Sequence, residues 1–182
     1  MKVGHISNQL VNDAETIFCG KEIEWYFIEK TTKNEDTQTC IFEAPSFTHM
    51  IYTPEKESRF LELTFLILES ILNEIGEYLL DDITQIRVNL MTRQVESQGK
   101  HTYPHKDPTD DMVLIYYVND SDGPTHIFTE GIIHKIEPKK GKFVLFENDF
   151  HAAAFPVEHD TRVVINYNIK LKKRILEPIP EL

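Results

Sequence analysis

The pattern of apolar residues changes from helical to strand-like near residue 82. Between Ser58 and Leu80 apolar residues recur at steps of three and four, which is the spacing of one face of an amphipathic helix. A shorter and weaker helical pattern covers roughly residues 12–20, and the runs EWYFIEK and FTHMIY between the two patterns resemble short strands. The first 81 residues therefore predict two helices and a few short strands.

Beyond residue 82 the chain contains runs of valine, isoleucine, tyrosine and phenylalanine that are typical of strands. The turn-forming clusters NDSDGP, EPKKG and ENDF separate these runs. Short strands at this spacing favour an all-β sandwich or barrel. The predicted strands cover residues 83–91, 112–118, 125–128, 132–136, 142–146 and 161–171.

These patterns predict a mainly β fold with supporting helices. We expect a double-stranded β-helix, or jelly-roll, core with the N-terminal helices packed on one face. In this interpretation residues 1–81 support the core, residues 82–171 form it, and residues 172–182 are a tail. A chain of 182 residues has a suitable length for one domain with its own hydrophobic core.

The composition argues against several classes of protein. Hydrophobic residues make up 41% of the chain, which is too rich for a disordered protein. The net charge of −11 argues against a nucleic-acid partner, because phosphate binding needs a basic surface. We interpret the local basic run KLKKR as the solvated end of the last strand. None of these patterns predicts an oligomeric state.

The cysteines and the N-terminus indicate a compartment. Cys19 and Cys40 lack the spacing of a metal-binding knuckle, and two cysteines do not make a disulfide framework in a chain of this size. The N-terminal segment has no apolar signal-peptide core, and apolar stretches break well before the ~20 residues of a membrane span. We therefore expect a cytoplasmic protein with no membrane partner.

The segment KHTYPHKDPTDD raises the question of a metal site. Pro104 disfavours a helix here, which excludes His101 and His105 as a helical zinc pair. On an extended segment His105 and Asp107 point the same way, so an imidazole and a carboxylate converge on one point. A charged surface loop is the alternative interpretation of this pair.

A later histidine strengthens the metal hypothesis. His151 follows a predicted strand, and Arg162 lies at the start of the last one. Two histidines and one carboxylate are the protein ligands of the 2-His-1-carboxylate iron site, which leaves positions open for substrate and oxygen. A dianionic co-substrate also needs a fixed cation at its far end, and a guanidinium matches a carboxylate with two parallel hydrogen bonds.

These motifs resemble the 2-oxoglutarate- and iron(II)-dependent oxygenases. The similarity rests on H-K-D, the later His151, and TRVVIN. IYYVN, THIF and IEP before KKGKFVLF resemble the prolyl-hydroxylase branch more specifically. The resemblance covers about residues 83–170, and EWYF and FTHMIY, followed by a helix, are also similar to short oxygenases of some viruses and bacteria.

The resemblance assigns roles to individual residues. It implies that His105, Asp107 and His151 bind the iron, and that Arg162 binds the C5 carboxylate of 2-oxoglutarate. The other positions matched to the co-substrate pocket are Tyr117, Thr125 and Asn89, and Asn166 has the same strand parity as Arg162.

The chain also departs from the family pattern. The spacing from His151 to Arg162 is slightly long, a single Gly123 with Pro124 replaces a paired glycine, and no tyrosine stands on the first core strand. The remaining candidate histidines are interpreted as surface residues: His49, His101, His126, His134 and His159.

The resemblance implies an activity and its cofactors. These are Fe(II), 2-oxoglutarate as co-substrate and O₂, with ascorbate as an optional addition. The implied reaction converts 2-oxoglutarate and O₂ to succinate and CO₂ while a substrate C–H bond is hydroxylated. The presence of Asp107 implies hydroxylation rather than halogenation, because the halogenating relatives lack this carboxylate.

The substrate is predicted less specifically than the reaction. A prolyl residue in a peptide or protein is the first expectation, and free proline or another small molecule is the second. The polar segment 94–100 leads into the H-K-D motif, and we expect it to cover the metal as a mobile loop. A metal-binding cupin without a co-substrate is a further alternative, disfavoured by Arg162 and Tyr117. A nucleic-acid demethylase is disfavoured by the negative charge.

Overall fold

The computed structural model of the protein describes residues 1–29, 40–108 and 111–174. Within these residues the helices are α1 (Gln9–Phe18) and α2 (Leu61–Ile75). The strands are β1 (Lys2–His5), β2 (Tyr26–Ile28), β3 (Ser46–Thr53), β4 (Lys56–Glu57), β5 (Tyr78–Thr92), β6 (Met112–Tyr117), β7 (Thr125–Thr129), β8 (Ile132–Ile136), β9 (Lys142–Phe146), β10 (Phe150–Ala153) and β11 (Thr161–Lys173).

The strands form two antiparallel sheets. The larger has the order β1-β9-β6-β11-β5-β3-β2, with β4 paired to β3, and the smaller has the order β10-β7-β8. Neighbours such as β9, β6 and β11 are distant in the sequence, so the larger sheet is not a simple meander. The longest pairing joins β11 to β5 from Thr161 opposite Thr92 to Lys173 opposite Tyr78.

The central strands of the larger sheet are buried on both faces. Successive side chains of a strand point to opposite faces, and those of β6 enter two different cores. Val113, Ile115 and Tyr117 pack with residues of the smaller sheet, whereas Leu114 and Tyr116 pack in the cluster that contains the buried faces of α1 and α2. The predicted jelly-roll core with helices packed on one face is therefore confirmed.

The two helices are present, with different ends from those predicted. The helical pattern was expected to reach Leu80, but α2 ends at Ile75 because Gly76 adopts a left-handed conformation with a φ of 71°. Its N–H still closes the last turn on the carbonyl of Leu72. Leu79 and Leu80 continue the apolar spacing but belong to β5. Helix α1 begins at Gln9, three residues before its predicted start.

The predicted strands of the core are present, and several short strands were missed. These are β1, β4 and β10. β10 has the sequence FHAA, whose alanines have low strand propensity, so its pairing with β7 defines it rather than its composition. This matters for the site because His151 lies inside β10 and not at the end of a preceding strand.

The first 81 residues contribute strands to the larger sheet and the helices that pack against it. Strands β1 and β3 join the larger sheet, beside β9 and β5 respectively. Helices α1 and α2 pack on that sheet from outside. The predicted division at residue 81 stays a prediction, and the part of the predicted tail beyond residue 174 lies outside the described residues. Across the described ranges, no helix combines the length and apolarity required to cross a lipid bilayer.

Candidate functional site

A cavity of about 210 Å³ is lined by residues of both sheets. Its longest wall is formed by the paired strands β5 and β11, because alternate residues of a strand share one face. Arg162 lies opposite Met91 and Asn166 opposite Arg87. With about 3.3 Å per residue, the two arginines are separated by roughly 13 Å along the strands. The wall residues are Arg87, Asn89, Met91, Arg162, Val164 and Asn166.

A short backbone bridge brings the two predicted iron-binding histidines together. The N–H of His105 donates to the carbonyl of His151 at 3.0 Å, and the N–H of His151 donates to the carbonyl of His105 at 2.9 Å. Residues directly opposite each other in an antiparallel pair place their side chains on the same face. The ring centroids are accordingly 4.7 Å apart.

Backbone carbonyls orient both imidazole rings. The Nδ1 atom of His105 lies 3.2 Å from the carbonyl oxygen of Tyr103, and that of His151 lies 3.0 Å from the carbonyl oxygen of Asp149. A proton on each Nδ1 satisfies these contacts and leaves the lone pair of Nε2 free, which is the tautomer that a metal ligand requires. Burial lowers the pKa of His151, which also favours the neutral ring.

Asp107 completes a three-residue cluster. Its carboxylate and one nitrogen from each of the two histidines lie within 4.8 Å of one another. The backbone of Asp107 is held by reciprocal bonds: its N–H donates to the Asn148 side chain, and Asn148 donates back to its carbonyl. The predicted convergence of His105 and Asp107 is therefore present in the structure, with His151 beside them.

The Asp107 carboxylate accepts hydrogen bonds from side chains of strands β5 and β11. Asn168 donates to Oδ2 at 2.7 Å, Arg87 donates to Oδ1 at 3.1 Å, and Asn166 lies 3.4 Å from Oδ2. Burial would raise the pKa of Asp107, but the charge of Arg87 and the bond from Asn168 hold it below its ordinary value. The group is thus an anion at neutral pH, as a metal ligand must be. We call His105, Asp107, His151 and these donors the metal end of the cavity.

The other end of the cavity contains a buried guanidinium. Arg162 is 3% exposed; its Nε donates to the carbonyl of Gly123 at 2.8 Å and one terminal nitrogen donates to Oγ1 of Thr125 at 2.7 Å. No carboxylate pairs with Arg162 in the described ranges. A buried cation without a counterion is costly, so this position favours an anion that the described residues do not supply.

Thr125 and Tyr117 extend this arrangement. The hydroxyl of Tyr117 donates to Oγ1 of Thr125 at 2.7 Å, and burial raises the pKa of Tyr117 to about 12, so the hydroxyl stays protonated. Thr125 lines the cavity with Arg162, whereas Tyr117 packs behind them and is not among the lining residues. We call Arg162, Thr125 and Tyr117 the closed end of the cavity.

The remaining predicted positions also reach the cavity wall. Asn89 lines the cavity, and its side-chain oxygen accepts a bond from the hydroxyl of Thr48 at 2.9 Å. Asn166 points inward, as its parity with Arg162 predicted. Met91, on the first core strand β5, lies beside Arg162, with its sulfur 3.8 Å from the guanidinium.

Arg87 and Asn168 were not identified from the sequence. Their spacing along the strands could have identified them. Arg87 lies two residues before Asn89 on β5, and Asn168 lies two residues after Asn166 on β11. Alternation along a strand places such residues on the same face. Their contact with Asp107 depends on how the segment around residue 107 packs on the sheet, and that packing has no local sequence pattern.

The interpretation of several histidines as surface residues was wrong. His49, His101 and His126 are 7%, 8% and 4% exposed. His49 bonds to the carbonyl of Glu24 and to the hydroxyl of Ser58, and the ring centroids of His101 and His126 are 4.9 Å apart. Burial lowers the pKa of His126 to about 4. These rings contribute to packing, as aromatic side chains do.

His134 and His159 do lie at the surface. His134 is partly exposed on β8, and the side chain of His159 is 46% exposed and bonded to Asp122 at 3.0 Å. Neither residue lines the cavity.

The segment 94–100 is not positioned as a cover over the metal end. It forms a turn in which Ser97 is 2% exposed, and the N–H of Gln94 donates to the carbonyl of Pro156 at 2.8 Å. None of its residues lines the cavity. The described residues that line the cavity outside the paired strands β5 and β11 instead include Ile28, Ser46, Lys106 and Pro108.

Comparison with solved structures identifies the fold. The structure is similar to a prolyl-4-hydroxylase of Pseudomonas putida, with a TM-score of 0.55 and 15% identity over 93% of this chain and 91% of that one. It is also similar to a 2-oxoglutarate–iron(II) oxygenase family oxidoreductase of Burkholderia pseudomallei, with a TM-score of 0.59 and 13% identity over 87% and 76% of the two chains.

A third similar structure is a prolyl hydroxylase of Trichoplax adhaerens, in complex with a peptide fragment of the oxygen degradation domain of hypoxia inducible factor. Its TM-score is 0.51 and its identity 14%, over 89% of this chain and 75% of that one. Neither a family sequence model nor a curated protein sequence matches the chain. The likeness establishes that the chain has the fold of the 2-oxoglutarate–iron(II) oxygenases, including prolyl hydroxylases.

Proposed function

We propose that the protein is a 2-oxoglutarate- and Fe(II)-dependent dioxygenase that hydroxylates a C–H bond. One observation carries this proposal: His105, Asp107 and His151 share a cavity with Arg162, a buried guanidinium that lacks a counterion among the described residues. A metal-binding cupin would need the cluster but not the guanidinium. The fold of the similar structures supports the same assignment.

The residues at the metal end fit Fe(II). Two neutral imidazoles with free Nε2 lone pairs and one carboxylate are the donor set of this class of iron site, and the three are close enough to share one ion. When bound there, Fe(II) supplies the oxidative chemistry that converts 2-oxoglutarate and O₂ to succinate and CO₂ and hydroxylates the substrate. The protein supplies the ligand geometry and the cavity that the cluster shares with Arg162.

The closed end fits the distal carboxylate of 2-oxoglutarate. Arg162 offers a charge that no described residue neutralises, and Thr125 lines the cavity beside it. Oγ1 of Thr125 accepts bonds from both Arg162 and Tyr117, so its own hydroxyl proton is free to be donated to a ligand. The co-substrate would then extend along the wall toward the metal end.

A prolyl residue in a peptide or protein is the substrate that we propose first. The cavity, at about 210 Å³, is small beside the roughly 300–1,000 Å³ of pockets that enclose a whole organic ligand. Part of the substrate would therefore lie outside. Ile28 lines the cavity and ends β2, an edge strand on which Tyr26 and Phe27 are 56% and 63% exposed. An extended peptide suits such an edge.

The free cysteines agree with the proposed location. Cys19 and Cys40 are exposed thiols without a disulfide. Such thiols are stable in the reducing cytoplasm, where we propose that the enzyme acts.

A succinate-release assay tests the proposal. The purified protein is incubated with Fe(II), 2-oxoglutarate and ascorbate, and with a panel of prolyl peptides and free amino acids. We expect a prolyl peptide to stimulate succinate release and to gain one oxygen atom by mass spectrometry, with free L-proline far less effective. Efficient hydroxylation of a free amino acid and of no peptide would favour the small-molecule alternative. Metal binding without any binding of 2-oxoglutarate would favour the cupin.

A further inference from the structure

We propose that Arg87 is a carboxylate-binding residue of the substrate subsite, and hence that the substrate carries a free carboxylate group near the bond that reacts. This inference rests on the proposed function, because it names the substrate class of the same site. It is independent of whether that carboxylate belongs to a peptide C-terminus, an acidic side chain or a free amino acid.

The position of Arg87 separates it from the co-substrate. Arg87 lies opposite Asn166, whereas Arg162 lies opposite Met91, so the two guanidinium groups start from opposite ends of the cavity wall. Arg162 at the closed end is the cation for 2-oxoglutarate. The second cation, Arg87, lies at the metal end, where it bonds to Asp107 of the three-residue cluster.

Arg87 keeps donors that none of the described residues uses. Its single hydrogen bond in the described structure goes from one terminal nitrogen to Asp107, and its Nε is buried without a partner. The side chain lines the cavity and is 28% exposed, although its Nε is buried. A guanidinium has five N–H donors in a planar fork that suits a carboxylate. Unused donors of this kind indicate a missing acceptor.

The balance of charge in the cavity points to an anionic substrate. The described lining residues include three cationic side chains, Arg87, Lys106 and Arg162, and one carboxylate, Asp107. The two negative charges of 2-oxoglutarate offset the two positive charges of the metal. Among the described lining residues a net positive charge is then left, in a protein whose overall charge is −11. Such a local field raises the local concentration of anions and favours their binding.

The negative charge of Asp107 does not cancel the net positive charge of the described lining residues. Its carboxylate contacts Arg87, Asn168 and Asn166. A bound metal ion would be coordinated by the same carboxylate. Arg87 is thus placed both to orient Asp107 and to bind a substrate. The two roles are separable, because orienting Asp107 affects every substrate equally, whereas binding a carboxylate affects only substrates that carry one.

Matched acid and amide probes separate the two roles. The pairs are L-proline and L-prolinamide, a prolyl tripeptide with a free or an amidated C-terminus, and an amidated prolyl peptide with aspartate or asparagine beside the proline. Dissociation constants are measured without turnover, in oxygen-free solution with Mn(II) and 2-oxoglutarate. Succinate release is then measured in air with Fe(II). The pair with the largest difference identifies the source of the carboxylate.

For the wild-type protein we expect at least one acid to bind roughly tenfold or more tightly than its amide, as close charge pairs at interfaces do. In Arg87→Gln this ratio should fall to about one, while Arg87→Lys should keep part of it. Arg93→Gln is the matched control: Arg93 is a solvent-exposed arginine paired with Asp160 and lies outside the cavity lining. It should leave the ratio unchanged.

The outcomes distinguish this inference from the proposed function. Equal binding of acids and amides to the wild type, including no detectable binding of any acid, overturns the carboxylate subsite while 2-oxoglutarate binding stands. An acid preference that survives in Arg87→Gln overturns the role of Arg87. Failure of the wild-type protein to bind 2-oxoglutarate overturns both.

Discussion

The two ends of the cavity are built differently. At the closed end, Arg162 is 3% exposed and its nitrogens contact Gly123, Thr125 and Met91. At the metal end, Arg87 is 28% exposed, bonds only to Asp107 in the described structure, and keeps a buried Nε without a partner. Both arginines stand on the same pair of strands, so the difference comes from their surroundings and not from the sheet.

We interpret this difference as one between a site for a constant ligand and a site for a variable one. A buried guanidinium that three contacts hold in place suits a co-substrate that is the same in every turnover, because little ordering is needed on binding. A partly exposed guanidinium with unused donors suits a group that arrives with each substrate. If the two ends are independent, a substitution that breaks one end of the cavity should leave the other intact.

The largest effect is expected from removing a ligand at the metal end. His151→Ala deletes one of the three donor groups, and the purified variant should lose the approximately one divalent ion per chain that we expect the wild type to bind. Metal content after dialysis against Fe(II) or Mn(II) measures this loss.

The controls for this variant are histidines outside the cavity. His134→Ala and His159→Ala change partly exposed residues, neither of which lines the cavity, and both should retain the ion. Equal loss of metal in all three variants would show that the ligand set has been wrongly assigned.

Breaking the closed end should leave the metal in place. Arg162→Ala removes the cation for the distal carboxylate, and truncating one partner of a buried charge pair costs about 2–5 kcal/mol. The dissociation constant for 2-oxoglutarate should therefore rise by more than about tenfold while the metal content stays that of the wild type. Titration calorimetry with Mn(II)-loaded protein measures both quantities. Unchanged affinity for 2-oxoglutarate would contradict the oxygenase assignment and support a cupin.

The contrast between the two ends of the cavity also shows which features of the fold and the site could be predicted from the sequence. The core strands were recognisable because their valine, isoleucine and aromatic residues carry a strong local signal, and the H-K-D motif was recognisable because two ligands lie two residues apart. Arg162 was found through its resemblance to a family motif. The closed end was thus largely predictable, since Arg162, Thr125 and Tyr117 all lie within such motifs.

Other features depend on contacts between distant segments. The bridge between His105 and His151 required β10, whose sequence FHAA has little strand character. The burial of His101 and His126 results from packing between residues far apart in the chain, and a histidine has no local pattern that distinguishes a core position. The contacts of Arg87 and Asn168 with Asp107 likewise depend on the packing of the 105–107 segment against the larger sheet.

A smaller effect at the metal end is expected from Asn168→Ala. Asn168 is 1% exposed and donates to Oδ2 of Asp107 at 2.7 Å, so it positions the ligand without touching the metal. Loss of such an outer hydrogen bond typically costs about 10–100-fold in metal affinity. Competition with a metal chelator measures the change, and the affinity of the metal-saturated variant for 2-oxoglutarate should stay near the wild-type value. Weakened 2-oxoglutarate binding with normal metal affinity would show that Asn168 acts at the closed end and not at the metal end.

The smallest effect is expected from Tyr117→Phe at the closed end. Its effect on the 2-oxoglutarate dissociation constant is to be compared with that of Thr125→Val. Tyr117 bonds to Thr125 and lies behind the cavity wall, whereas Thr125 lines the cavity and receives the bonds of both Arg162 and Tyr117. Removing the Tyr117 hydroxyl deletes its bond to Thr125 and a longer contact of 3.5 Å with the carbonyl of Ile136. A neutral hydrogen bond is worth about 1 kcal/mol net, so the 2-oxoglutarate dissociation constant should rise by no more than about fivefold. Thr125→Val removes the hydroxyl that faces the ligand and leaves two buried donors unpaired, which costs more. Titration calorimetry of both variants ranks them. A larger loss in Tyr117→Phe would mean that the tyrosine hydroxyl itself contacts the carboxylate, and that the closed end rearranges when 2-oxoglutarate binds.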